Sequence, residues 1–141
     1  MKKSTETIKD SSGNVIAIVI YSSFFKEGSA FFTPADFSQQ LGFISRKKGS
    51  TIGAHTHKKL KVNIKLTQET LFVRKGKVKV NLYDDKKKYI ESKMLNRGDT
   101  ILLASGGHGF EFLSDAELIE AKQGPYIDDS YKQMFKGIEN I

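Results

Sequence analysis

The sequence predicts an all-β fold in a single domain, and three observations carry that expectation. The dominant hydrophobic period is two rather than 3.6. Clusters of turn residues separate the alternating runs about every 8 to 12 residues, as in sandwiches and barrels. The chain has 141 residues, which suits one core.

The elements follow in chain order. "VIAIVIY" (15–21) is a short apolar strand after the turn "SSGN". Residues 22–37, rich in phenylalanine, show no clear period; Phe24, Phe25, Phe31 and Phe32 suit core, lid or dimer contacts rather than chemistry. "LGFIS" (41–45) is a candidate strand before the turn "RKKGS". Leu60, Val62, Ile64 and Leu66 then alternate with Lys61, Asn63 and Lys65. "ETLFVRKG" (69–76) is a strand ending at Gly76, and Val78, Val80 and Leu82 alternate with Lys77, Lys79 and Asn81. "DDKK" turns the chain into "KYIESKML" (88–95), with Tyr83 and Tyr89 flanking the hairpin, and "NRGD" is the next turn. "TILLA" (100–104) and "GFEFL" (109–113) flank Gly106 and Gly107, and "ELIEAKQ" (117–123) completes the series. A short C-terminal helix is expected in "DDSYKQMFKGI", from its acidic start and the spacing of Tyr131, Phe135 and Ile138.

Hydrophobic residues make up 38% and charged residues 28%, a globular composition rather than a disordered one. The longest apolar run, Val15 to Ile20, is far below the roughly 20 residues of a membrane span. No apolar segment follows the first lysines, so a signal peptide is not expected and a cytoplasmic location is the default. The absence of Cys removes disulfides, thiol catalysis and Cys-ligated zinc. The net charge of +7 raises the question of nucleic acid. Its lysines instead alternate with apolar residues, as on a solvated strand face, and no aromatic-interleaved basic stretch occurs. No nucleic-acid partner is expected; an anionic small molecule, such as a sugar phosphate or nucleotide sugar, fits such a surface as well.

Two of the three histidines stand in "IGAHTHKK" (52–59). On an extended chain His55 and His57 share a face, so both imidazoles can converge on one ion. An isolated H-x-H pair is more often structural or solvated. The third histidine, His108, follows a glycine pair, and Glu69 sits among apolar strand residues where a carboxylate calls for a reason.

Taken together, Gly49…His55-Thr56-His57…Glu69-x6-Gly76, followed by Gly98-Asp99…Gly106-Gly107-His108, resembles the two-motif pattern of the cupin superfamily. The resemblance covers about residues 40–123 of one domain spanning 1–141. It implies a double-stranded β-helix, a jelly-roll barrel, and one divalent metal ion held by His55, His57, Glu69 and His108. Eleven residues separate His57 from Glu69, where the family has three or four, so "KKLKVNIKLTQ" is read as an extended excursion. Ala104 stands where proline is typical, and the second motif lacks its terminal asparagine. Gln68 is an alternative oxygen donor or a pocket residue. "TQETLFV", "LLASGGHGFEF" and "KQGPY" are similar to small single-domain cupins of bacterial surface-polysaccharide gene clusters.

A three-His, one-carboxylate set suits Fe, Mn, Ni or Zn. With open positions such an ion acts as a Lewis acid, which favours isomerisation or epimerisation of a carbohydrate or nucleotide sugar; with Fe(II) the same set supports dioxygen chemistry. "GAHTHK" also resembles the paired-histidine segment of metal-free nucleotide-sugar ketoisomerases, in which His55 and His57 would be acid and base. A non-catalytic binding or sensing cupin is the third reading. Gln68, Lys122, Gln123 and Tyr126 are candidate substrate contacts at the barrel mouth, and Glu120 and Lys122 suit either a pocket or a solvated strand face. "ASGGHG" lacks the Lys-Ser/Thr of a phosphate loop and reads as a tight turn, as does Asp99 after Gly98. Exposed edge strands make a homodimer the expected assembly.

Overall fold

Strands form where the period-two runs find partners. The computed structural model describes residues 3–140; Met1, Lys2 and Ile141 lie outside the described residues. Among the described residues ten strands occur: β1 (Thr5–Lys9), β2 (Val15–Ile20), β3 (Gly28–Phe31), β4 (Gly42–Ser45), β5 (Glu69–Lys75), β6 (Lys77–Tyr83), β7 (Tyr89–Asn96), β8 (Thr100–Leu103), β9 (Gly107–Phe112) and β10 (Glu117–Lys122). All ladders are antiparallel. The larger sheet has the order β1-β2-β8-β5-β10, the smaller one β7-β6-β9, and β3-β4 is a separate hairpin. The fold is all-β, as the alternation predicts.

The two sheets share one core. Ile8, Ala17, Val19, Leu71, Val73, Ile101 and Leu103 of the larger sheet meet Val78, Val80, Leu82 and Leu95 of the smaller. Burying a side chain of this size contributes about 1.5–3 kcal/mol, so this cluster is the main stabilising feature. At β6 the inward row Val78, Val80 and Leu82 is what "KVKVNL" leads one to expect.

Turn chemistry fixes the register. Gly76 joins β5 to β6 at φ +83°, and a Cβ there would run into the Asp115 carbonyl oxygen. Between β6 and β7 Asp84 Oδ1 accepts from the amides of Lys86 and Lys88, and Tyr83 pairs with Tyr89. The Asp99 carboxylate is buried and accepts from Ser22 N at 2.8 Å and Asn96 N at 2.7 Å. It is the turn residue the sequence suggests.

Two expectations are corrected. The C-terminal segment forms no regular helix, only 3-10 turns at Asp129–Tyr131 and Ile138–Asn140. Its apolar and polar groups bind β6 and β9 separately instead of lining one helix face. Phe135 packs edge-on to Tyr83 at 5.0 Å between ring centroids, Ile138 N donates to Tyr83 Oη at 2.9 Å, and Glu139 accepts from Tyr83 and Asn81. Gly137, between them, adds a helix-weakening residue. Secondly, the alternating run Leu60–Leu66 joins no ladder, and every residue from 46 to 67 is exposed. We call this segment the arm.

Hydrogen bonds close one side of the sandwich and leave the other open. Along β1 and β7, Lys93 Nζ reaches Glu6 Oε2 at 2.7 Å and Tyr21 Oη donates to Glu6 Oε1 at 3.0 Å. On the opposite side β9 and β10 are each the last strand of their sheet, and among the described residues no further strand pairs with them.

Candidate functional site

Glu69 is the first residue of β5 and His108 the second of β9, so the two come from different sheets. His108 pairs in register with Leu82, whose side chain is in the core, and this puts the imidazole on the inner face. Its Nε2 lies 3.2 Å from Glu69 Oε2. The hydrogen bond from His108 holds the Glu69 carboxyl below its ordinary range against the opposing effect of burial, and the charges of His108, Lys122 and Lys132 act in the same direction. Glu69 is thus an ionised acceptor beside an imidazole.

The pair lines a cavity of about 440 Å³, in the range of small-molecule sites. Leu71 and Phe110 form apolar wall, and Glu120 and Lys122 of β10 line it with the pair. The C-terminal segment supplies the remaining wall through Lys132, Gln133, Met134, Phe135 and Glu139. The lining sets two lysines and an imidazole against three carboxylates, Glu69, Glu120 and Glu139, and the apolar wall suits a sugar-sized body.

The other expected site residues fall elsewhere. His55 and His57 lie on the exposed arm, their ring centroids 5.2 Å apart, with His55 Nδ1 2.9 Å from the Gly53 carbonyl oxygen. They are side by side, as the i, i+2 spacing requires. Among the described residues no three His, Cys, Asp or Glu side chains come close enough to hold one metal ion. The four residues of the cupin-like pattern therefore form two pairs, one on the arm and one on the body.

Gln68 and Gln123 are engaged in hydrogen bonds within the body. Gln68 is buried, and its Oε1 accepts from Ser38 Oγ at 3.2 Å and Gln39 N at 3.0 Å. Gln123 accepts from Gln68 N and donates to Ser38 Oγ, while Thr70 Oγ1 donates to Gln39 Oε1 at 2.9 Å. This clamp ties the segment before β4 to the start of β5. Tyr126 is exposed and does not line the cavity. Of the expected substrate contacts, Lys122 alone does.

Sequence reasoning missed the contribution of the C-terminal segment. Phe135 stands at helical spacing from Tyr131, but the segment binds the sheet residue by residue, and no periodic signal marks Lys132, Gln133, Met134 or Glu139 as cavity lining. The chain matches no family model, and comparison with the curated proteins and with solved structures gives no match.

Proposed function

We propose that the protein is a metal-binding cupin-type domain that acts on a carbohydrate or nucleotide sugar as an isomerase or epimerase. The observation that carries this reading is the Glu69–His108 contact at 3.2 Å inside a cavity with Lys122 and Lys132. Both members occupy positions that the cupin-like pattern marks. The strand distribution supports the fold half of the proposal: β5, β8 and β10 fall in one sheet and β6, β7 and β9 in the other, as in a jelly roll.

The donors fit a divalent ion in chemical character. An ionised, half-buried carboxylate and an imidazole are ligands for Fe, Mn, Ni or Zn, and His55 and His57 are two further nitrogen donors at a spacing that suits one ion. When bound, such an ion polarises a hydroxyl or carbonyl oxygen. Lys122 and Lys132 orient an anionic group of the ligand, and Phe110 and Leu71 exclude water from its apolar side. The His55/His57 ketoisomerase and the non-catalytic sensor remain as the readings against which the experiment discriminates.

The test is elemental analysis of protein purified without a metal-affinity tag, followed by reconstitution with Zn(II) or Mn(II). About one ion per chain is expected. Less than ~0.2 per chain after reconstitution refutes the metal reading. His108→Ala should lower the content several-fold. A panel of nucleotide sugars and ketoses separates turnover from binding without conversion.

A further inference from the structure

The arm leaves and rejoins the body at one place. Ser38 and Gln39, just before β4, are held to Gln68, just before β5, and Gln123 bonds both sides. β4 and residues 46–67 follow this clamp; every residue from 46 to 67 is exposed, although Ile64 and Leu66 border a cavity with Asp36 and Phe37. His57 lies eleven residues from Gln68, up to about 36 Å of extended chain. That reach exceeds the radius of gyration, roughly 13–15 Å, of a body of this size.

The arm has the pattern of a strand without a ladder. Leu60, Val62, Ile64 and Leu66 form one apolar row, with Leu60 82% and Val62 68% exposed. Lys59, Lys61 and Lys65 form the other row. An apolar row with no cover and backbone groups with no ladder partner are costly for an isolated chain. The body carries the complementary deficit. β9 and β10 end their sheets on the side where the Glu69–His108 cavity lies, and Phe112 and Ile119 on these strands are exposed. The charges are opposite in sign as well: the arm is lysine-rich, and β9 and β10 carry Glu111, Glu117 and Glu120, of which Glu111 and Glu117 already pair with Lys79 and Arg74.

We propose that two copies exchange these arms, so that His55 and His57 of one chain complete the site formed by Glu69 and His108 of the other. This rests on the metal-site reading for its chemistry, but the exchange stands on the arm and the open edges. Each copy supplies the strand the other lacks, and the two-fold arrangement closes without a free arm. The site lies where residues 54–58 pair with β9. Adjacent strands lie about 4.8 Å apart, and only there do two same-face imidazoles come within ligand reach of His108. Neither chain alone then holds a complete site.

The chain has no Cys, which makes a disulfide test unambiguous. A His57→Cys/His108→Cys double variant is oxidised and run on a non-reducing gel, with each single variant as control. Arm exchange gives a reducible band at twice the monomer mass, carrying most of the protein. An intrachain disulfide at monomer mass, or two free thiols, overturns the proposal; this readout needs no metal. In a second experiment a H55A/H57A chain and an E69Q/H108A chain carry different non-metal-binding tags, are co-expressed and are purified through both. Each variant alone should lose zinc(II) binding, while the doubly tagged dimer should regain about half an ion per chain, one intact site in two. No doubly tagged species, or no regained zinc where the wild type binds it, also overturns exchange. A wild type without zinc but with the covalent dimer refutes the metal reading and leaves exchange supported.

Discussion

Lys93 on β7 and Glu6 on β1 meet at 2.7 Å and join the edge of one sheet to the edge of the other. The hydrogen bond from Lys93 draws the Glu6 carboxyl below its ordinary range, and burial opposes it. Burial alone would lower Lys93, but its bonds to Glu6 and Glu91 outweigh that and raise it. The stabilisation from Glu6 is therefore fully present above the unfolded carboxyl value of 4.5 and is lost as pH falls through the lower folded value. That from Lys93 is present below 10.5 and is lost as pH rises through the higher folded value. Glu6→Gln should lower stability by about 1–2 kcal/mol near pH 7. The gap between variant and wild type should shrink below pH 4. Urea unfolding at both pH values checks this; an equal gap at pH 3 and pH 7 would falsify the electrostatic account.

Asp99 holds two amides, Asn96 N in its own turn and Ser22 N from a distant part of the chain. Asp99→Ala leaves both without their acceptor in a buried setting, and a loss of about 3 kcal/mol is expected. Asp99→Asn keeps one acceptor oxygen and should lose less. Thermal or chemical unfolding of the pair gives the ranking, and an Asn variant as unstable as Ala would count against the hydrogen-bond explanation.

At Gly76 both the backbone angle, φ +83°, and the Asp115 carbonyl exclude a side chain. Gly76→Ala should destabilise by about 2 kcal/mol or more, from left-handed strain together with the clash. Gly49 has a similar φ of +89° but nothing within 4 Å, so Gly49→Ala should cost only the conformational part, about 1 kcal/mol. Reversal of this order in denaturant midpoints would show that the turn after β5 adapts.

Trypsin reads the arm directly, because Arg46, Lys47, Lys48, Lys58, Lys59, Lys61 and Lys65 lie in it. At high dilution the first cuts should fall between Arg46 and Lys65 and leave the β5–β10 body intact. At high protein concentration the same bonds should be protected at least several-fold, as the arm becomes part of a dimer. Gln68→Ala, which removes the acceptor for Ser38 and Gln39, should raise the cutting rate at both concentrations. Mass spectrometry of the early fragments locates the cuts; protection that does not vary with concentration contradicts arm exchange.

The sequence carries the central strands well because their alternation and their partners coincide: "KVKVNL" buries the row it displays. β1, "TETIK", has a single core residue, Ile8, and β3, "GSAF", ends at an exposed Phe31; neither leaves a periodic trace, so the sequence predicts neither. The arm is the reverse case. Its alternation is real, but a strand is a relation between two segments, and within one chain Leu60–Leu66 has no second member. The site divides along the same line. Glu69 and His108 are legible because strand ends place them; the role of Gln68 is not, since its amide is used by a loop thirty residues earlier.

The strand order also bears on biosynthesis. In β1-β2-β8-β5-β10 the middle strands β8 and β5 come from the later half of the chain, and β10 ends at Lys122. During translation β2 waits for β8, and β5 gains neither neighbour until then, whereas β6 and β7 form a hairpin as soon as they emerge. The nascent chain thus passes through an interval with the apolar strand Val15–Ile20 made but unpaired on one side, a stretch of exposed strand edge that non-local pairing closes only late.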